Sequence, residues 1–379
     1  MKKFVAGMTA LCASAASFAQ EAPNAPAAPG GGLKIYGVAD ISLARYRTSG
    51  ESKTAMHAGG SGSRIGFLAG ESLGGGWNLN ARLEAGVNLD TGTPSSTNGN
   101  SGRVFSRQAY VELEHRGFGS LRLGRQQGPT YDFFPTYDPM LLPAMDAWGV
   151  VTTLGNPAPG VASGTGAPTG FLINPTARTE NTIGYTSPRV NGVQGRLSYS
   201  PNEGSATQAR LLEAGADYAS GPLQLGLLYV KAGATSGAGT LLPTESNAEI
   251  AFGAKYQAGP IHPYFSYIRR ESTDPTRRAG GGVLNDNSET ARLFGVAIPV
   301  SARGTVRMTY GLYASGAADS DAKNYGVAYT YDVSRRLMLM AAVTHLSQEG
   351  AARYPVFQSP RPRAGESVDA VTAGLTWRF

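Results

Sequence analysis

The sequence has a single cysteine, Cys12, in 379 residues, so no disulfide can form within one chain and the fold rests on packing and hydrogen bonds alone. It also lacks any metal-ligand spacing of Cys and His and any glycine-lined phosphate loop opening a helix; Gly30-Gly31-Gly32 ends a Pro- and Ala-rich stretch rather than following a strand. Charge is sparse at 16% of residues. The 33 Lys and Arg are scattered as singlets instead of gathering in a stripe or arm, so the net +6 reads as local electrostatics and not as a nucleic-acid footprint. No stretch reaches the ~18 to 20 continuous apolar residues that a transmembrane helix needs, which excludes a helical membrane protein. Unbroken runs of strong helix formers are missing as well. With 51 glycines spread along the chain, each costing a helix interior about 1 kcal/mol, a helical bundle or coiled coil is excluded.

What is present begins with a processing signal. Lys2 and Lys3 precede an apolar run from Phe4 to Ala16, and Ser17-Phe18-Ala19 supplies the small-x-Ala pattern of a cleavage site, so residues 1–19 are expected to be a secretory signal peptide cleaved near Ala19. Cleavage removes Lys2 and Lys3, lowering the formal charge from +6 to +4, and removes the one cysteine. Residues 20–32, QEAPNAPAAPGGG, have nothing to bury and are expected to form a flexible leader.

From Leu33 onward the dominant signal has a period of two. Trp77, Leu79, Ala81, Leu83, Ala85, Val87 and Leu89 alternate with Asn78, Asn80, Arg82, Glu84, Gly86, Asn88 and Asp90, so one face of such a strand is apolar and the other polar. Tight turns built on Gly, Pro, Asn or Asp fall near 74–76, 116–119, 189–192, 219–222, 258–260, 300–304 and 332–335. Longer polar segments lie between them, near 47–61, 91–101, 127–177, 201–208, 233–245, 271–287, 315–320 and 348–365. Seven short and eight long connections delimit sixteen strands with all short turns on one side, a sorting that an outer-membrane barrel shows and a soluble sandwich has no reason to show. At the C-terminus Val371, Ala373, Leu375, Trp377 and Phe379 carry the apolar face to the last residue. Such an edge would aggregate in water, so the last strand must pair with the first and close the sheet, which also satisfies the backbone groups that lipid cannot. Tyrosines outnumber phenylalanines, 18 to 13, and Tyr218, Tyr256 and Tyr331 stand beside short turns, where an interfacial aromatic belt would be. The expected fold is all-β: a sixteen-stranded antiparallel transmembrane β-barrel over residues 33–379.

Several fragments carry a more specific likeness. They are Ile35-Tyr36-Gly37 with Asp40, Ser63-Arg64-Ile65-Gly66-Phe67, Arg107-Gln108-Ala109-Tyr110-Val111, the run from Gly117 to Gln126, Arg178 with Asn181 to Pro188, Tyr331 to Arg336, and the terminal Phe379. In this order and spacing they make the chain resemble a Gram-negative general (diffusion) porin of the sixteen-stranded trimeric type. The resemblance implies a bacterial outer-membrane location, short periplasmic turns with long extracellular loops, and a homotrimer with its contact near the first strands, where Gly37 and Ala39 are small. It also implies that the third long loop, about 127–177, folds into the barrel as the constriction. That loop mixes Asp132, Asp138 and Asp146 with Tyr131, Phe133, Phe134, Tyr137 and Trp148, so its aromatics can anchor on the inner wall while its carboxylates face water; Gly155 to Gly170 is expected to be its more mobile part.

Arg82 falls on the polar face by alternation, and the resemblance adds Arg64, Arg107 and Arg178 to the inner wall. A basic wall facing acidic loop groups would set a transverse field across the eyelet. The plainer alternative is that these side chains only solvate the lumen and the loop. Arg122 and Arg307 face inward by period and read as wall residues, and Glu84 and Glu180 fall where they can pair with arginines. Val38 stands where the family carries a basic residue in the first strand, which weakens the ladder there.

The expected function is passive diffusion of small hydrophilic solutes and ions through a water-filled channel, with outer-membrane lipid and other copies of the chain as partners, no nucleic acid and no cofactor. The catalytic inventory is thin. His345-Leu346-Ser347 puts a His and a Ser two apart on one face, but the sequence places no acid with them, so no enzyme is expected. Two alternatives remain. A substrate-selective channel would line its lumen with aromatics, whereas the tyrosines fall mostly on the lipid face or at strand ends; an adhesin or receptor barrel would act through loops near 271–287 and 348–365.

Overall fold

The computed structural model describes residues 32–57, 61–95, 103–140, 178–201, 203, 210–235, 241–272, 288–315, 319–356, 359–360 and 362–379. The expected signal peptide, nearly all of the leader, Asp146, Trp148 and the Gly155 to Gly170 segment lie outside these residues. The strands are β1 (Gly32–Arg47), β2 (Ser52–His57), β3 (Arg64–Gly74), β4 (Trp77–Gly86), β5 (Gln108–His115), β6 (Gly119–Gln126), β7 (Thr179–Thr186), β8 (Val193–Ser200) and β9 (Leu211–Ser220). They continue as β10 (Leu223–Thr235), β11 (Leu241–Tyr256), β12 (His262–Ser272), β13 (Ser288–Pro299), β14 (Gly304–Ala314), β15 (Ala322–Asp332), β16 (Leu337–Gln348) and β17 (Val368–Arg378), and among the described residues there is one helix, α1 (Pro129–Thr136), between β6 and β7.

All seventeen strands join one antiparallel sheet that closes on itself through β1 and β17, from Val38 opposite Arg378 to Arg47 opposite Asp369. Two segments share one place in the wall: β3 pairs with the first half of β1 and β2 with the second half. Seventeen segments therefore make the sixteen staves of the barrel. The seven tight turns fall where the sequence puts them. In the first, Gly74, Gly75 and Gly76 all have positive φ, at 80°, 60° and 87°, a conformation that costs glycine nothing.

Closure ends on the last residue. The backbone N–H of Gly37 donates to Phe379 O at 2.9 Å and that of Phe379 to Gly37 O at 3.0 Å. The Phe379 ring lies on Gly37, where a Cβ would stand 2.6 Å from ring atom Cε2. Gly37 is thus small because a ring covers it.

Alternation sets the two faces. Leu79, Leu83, Leu227, Ile250, Val343 and Val371 point out and are exposed, as a lipid-facing wall requires. The inner face is not uniform. On β1 to β8 it is mostly polar, with Asp40, Asn80, Arg82, Glu84, Gln108, Arg122, Thr182 and Ser198 buried beside Tyr36, Val38, Tyr46, Leu68 and Tyr110. On β10 to β17, toward the long-loop end, Leu228, Val230, Ile268, Leu293, Tyr313 and Leu346 also point in, and they are covered by Phe133, Phe134 and Tyr137 of the third loop and by Tyr354 and Val356 from the segment after β16. Among the described residues, two loops therefore fold inward.

Candidate functional site

The third loop enters the barrel as a short helix. Pro129 takes the first helical position, where its missing N–H is no loss, and α1 lies against β8, β9 and β10. Its entry is fixed by Glu213 of β9, which accepts the Thr130 hydroxyl at 2.5 Å and the Ser198 hydroxyl at 3.0 Å. A Cβ at Gly128 would collide with that carboxylate. Beyond the helix, the loop follows a row of wall glycines: the Tyr137 ring covers Gly226 and Gly253, Pro139 covers Gly295, and Met140 reaches Gly326. Each glycine leaves a notch that a side chain would fill.

Opposite the helix, three of the four expected arginines converge. Glu84 accepts Arg107 Nε at 2.6 Å and the Tyr36 hydroxyl at 2.6 Å, and lies 3.6 Å from Arg64 Nε. Arg64 is held from behind by donating Nη1 to the carbonyls of Ser61 and Gly62, at 2.7 and 3.0 Å, whose turn is fixed in turn by Asp40. Tyr131, projecting from α1, meets this group: Arg107 Nη2 donates to its hydroxyl at 3.4 Å, and the Arg178 guanidinium carbon lies 5.0 Å from its ring centre, within cation–π range. Burial and the adjacent Arg107 pull the Arg178 guanidinium below its ordinary value, which starts high enough for the group to stay charged at neutral pH.

The other predicted residues go elsewhere. Arg82 sits one rung toward the short turns, its guanidinium carbon 5.6 Å from the centre of the Tyr36 ring. Asp132 faces β8 instead of the cluster, 3.4 Å from Arg196 Nε. Asp138 is buried against its own chain, accepting the Met140 N–H at 2.9 Å, near Arg307, which donates to the Pro139 carbonyl at 2.8 Å. Arg122 pairs with Glu112 at 2.6 Å, and Glu180 pairs with Arg125 at 3.1 Å and with Arg103.

Sequence reasoning missed three features. Tyr131 is the loop side chain at the cluster, and no pattern separates it from the other loop aromatics. Tyr36, Tyr110 and Tyr264 are buried on the inner face, a minority beside the mostly outward tyrosines, and two of them meet inner-wall arginines, Tyr36 with Arg82 at 5.6 Å and Tyr110 with Arg122 at 5.3 Å. His345 does have an acid, Asp369 of the neighbouring strand, at 2.7 Å from Nδ1, but both are exposed on the outer wall and no Ser347 to His345 hydrogen bond occurs among the described residues.

A family model described as Gram-negative porin matches residues 5–351. Outer membrane porin protein 32 of Delftia acidovorans is 28% identical over 393 residues, spanning 100% of both chains. Among solved structures, the anion-selective porin from Comamonas acidovorans superposes with a TM-score of 0.72 at 24% identity, over 92% of this chain and 100% of that one. The trimer form of OmpT from Vibrio cholerae gives 0.60 at 15% identity, over 92% and 100%.

Proposed function

This chain belongs to the Gram-negative porin family, and on that premise we propose that its channel is narrowed between Tyr131 and the Arg64, Arg107 and Arg178 cluster and favours small hydrophilic anions. The protein is an outer-membrane β-barrel for passive diffusion of small solutes, with short periplasmic turns and long extracellular loops; its family is one of channels and not of enzymes. The observation that carries the anion preference is a charge count. Three guanidinium groups and one carboxylate, Glu84, surround Tyr131, leaving an excess of two positive charges at the eyelet. A fixed excess in a narrow pore concentrates counter-ions and repels co-ions. Val38, where the family's basic residue is missing, pairs in register with Arg64, so the neighbouring stave returns the charge to that place. The described anion selectivity of the Comamonas porin supports the same preference here.

The test is the zero-current potential across a KCl gradient in planar bilayers. The wild type favours chloride, and Arg64→Ala with Arg107→Ala moves the permeability ratio toward potassium. An unchanged ratio overturns the assignment. A second reading, a solute-selective channel, is favoured by Tyr36, Tyr110 and Tyr131 lying along the arginines; conductance that saturates with one small carboxylate would select it over free diffusion. Secretion with loss of residues 1–19, a leader at 20–32, a contribution of Asp132, Asp138 and Asp146 to the loop's charge, and assembly as a homotrimer complete the proposal, the last supported by the trimeric Vibrio neighbour.

A further inference from the structure

The turn that brings Tyr131 into the lumen is seated on one side chain of the wall. Glu213 points inward from β9, is 1% exposed, and meets the first turn of α1. Its Oε1 accepts the Thr130 hydroxyl at 2.5 Å, its Oε2 accepts the Ser198 hydroxyl of β8 at 3.0 Å, and Oε2 also covers the bare Cα of Gly128. The cation of that region is engaged elsewhere, Arg196 Nη1 lying 2.7 Å from Asp217 and its Nε 3.4 Å from Asp132. Among the described residues Glu213 is therefore held by two hydroxyls and not by an ion pair.

Tyr131 is tied to this point twice. It follows Thr130 directly, and its backbone N–H donates to Gly128 O at 3.0 Å. Pro129, between them, rests on Gly215, the next inward position of β9, where a Cβ would stand 3.0 Å from Pro129 Cβ. Successive helix positions turn by about 100°, so with Thr130 fixed on the wall the Tyr131 ring is carried off it, toward Arg107 and Arg178. The other polar anchor of α1 is softer: the Asp132 and Arg196 side chains are 18% and 20% exposed, and ion pairs open to water contribute little. The bonds to Glu213 are buried, where water does not compete for them.

We propose that Glu213 is a positioning residue of the channel: from the wall on the far side of α1, and without touching the arginines, it sets the width and ion preference of the eyelet by holding Tyr131 across the lumen, which rests on the reading of Tyr131 as one side of that eyelet. The chain of contacts is short. Glu213 fixes Thr130 and Gly128, these fix the turn, and the turn aims the ring.

The experiment records single channels in planar bilayers, measuring the time spent at a larger conductance level, which reports a loop lifted from the wall, together with the zero-current potential across a KCl gradient. Breaking both hydroxyl bonds in Glu213→Ala should raise the occupancy of that level roughly tenfold to a hundredfold and move the permeability ratio toward potassium. Glu213→Gln removes the same carboxylate yet keeps an acceptor for Thr130 and a polar atom for Ser198, so it should stay within about threefold of the wild type. Thr130→Val alters the loop and leaves the wall intact; it should raise the occupancy roughly tenfold and carries the test if Glu213→Ala does not fold. A carboxylate acting through its charge alone would give the reverse sign, a stronger chloride preference, equal in Glu213→Ala and Glu213→Gln. That result, or unchanged occupancy in Glu213→Ala and Thr130→Val, overturns the proposal. The conductance level reports the loop whatever ion the channel prefers, so Arg64→Ala with Arg107→Ala decides the ion preference and the Glu213 and Thr130 variants decide the anchor.

Discussion

The placement of the inward loop depends on what the wall lacks under Tyr137. Gly226 of β10 and Gly253 of β11 are partners in register, and the Tyr137 ring lies across both. A Cβ at Gly226 would stand 2.5 Å from ring atom Cε2 and from the hydroxyl oxygen. Comfortable contact begins near 3.5 Å, so Gly226→Ala forces the ring back by about 1 Å. Sideways escape is closed: the same ring already covers Gly253, and Phe133 packs on it with 5.0 Å between centroids. The ring must lift off the wall, and the end of α1 must follow, since the Tyr137 N–H donates to Phe133 O and Phe134 O, each at 3.3 Å. Overpacking of this kind costs about 1–3 kcal/mol, which raises the undocked population of the loop roughly fivefold to a hundredfold or more. Amide exchange measured by mass spectrometry should therefore accelerate over Tyr137 to Met140 by that factor, with the strands of β10 and β11 unchanged. In a Tyr137→Ala background the glycine substitution should add nothing, because the two act through one contact. Unchanged exchange in Gly226→Ala, or acceleration that simply adds to that of Tyr137→Ala, refutes the docking argument.

Burial raises the pKa of the Tyr131 phenol, disfavouring its ionisation, but Arg107, Arg178 and Arg64 outweigh that and hold the group below its ordinary value of 10.0. Raising pH then places a negative charge among the arginines, so the anion preference of the wild type should fall on the alkaline side and that of Tyr131→Phe should not; identical pH profiles of zero-current potential would refute this. Glu366 ties the segment after β16 to the β1–β2 connection by accepting the Ser49 hydroxyl and the N–H groups of Arg363 and Gly50, the latter two at 2.6 and 3.0 Å, and these bonds hold it at about 2 against an ordinary 4.5. A carboxylate depressed in this way contributes its clamp above pH 4.5 and loses it as pH falls toward 2. Exchange of the Gly50 and Arg363 amides, corrected for intrinsic rate, should accelerate over that window in the wild type and be fast throughout in Glu366→Gln. At the seam, Gly37→Ala should lower the temperature at which the barrel loses its compact electrophoretic form, since the Phe379 ring occupies the space of the new methyl at a cost of about 1–3 kcal/mol; truncating Phe379 in the same variant should remove the extra penalty.

The barrel was legible because the lipid face imposes a rule on every stave. On β4 the outward Leu79, Ala81 and Leu83 and the inward Asn80, Arg82 and Glu84 follow it without exception, and the tight turns announce themselves by glycine. The rule fails where a second surface covers the inner face. Leu228 and Val230 interleave with outward Leu227 and Tyr229, leaving β10 apolar on both sides. Such a run signals that something folds over the strand from inside, and here it is the third loop. The helix itself could not be read: α1 has eight residues, a proline within it, and is held by Glu213 and by wall glycines far away in the chain. The site was half visible for a related reason. A period of two states on which side of the wall a residue lies, so Arg64 and Arg82 could both be assigned to the lumen. It is silent on height and partner. Those are set by register: Glu84 lies opposite Gly66 and Gln108, which carries it between Arg64 and Arg107, while Arg82 lies opposite Leu68 and Tyr110, one rung away. A shift of two residues in either strand would preserve every alternation in the sequence and dismantle the cluster at Tyr131.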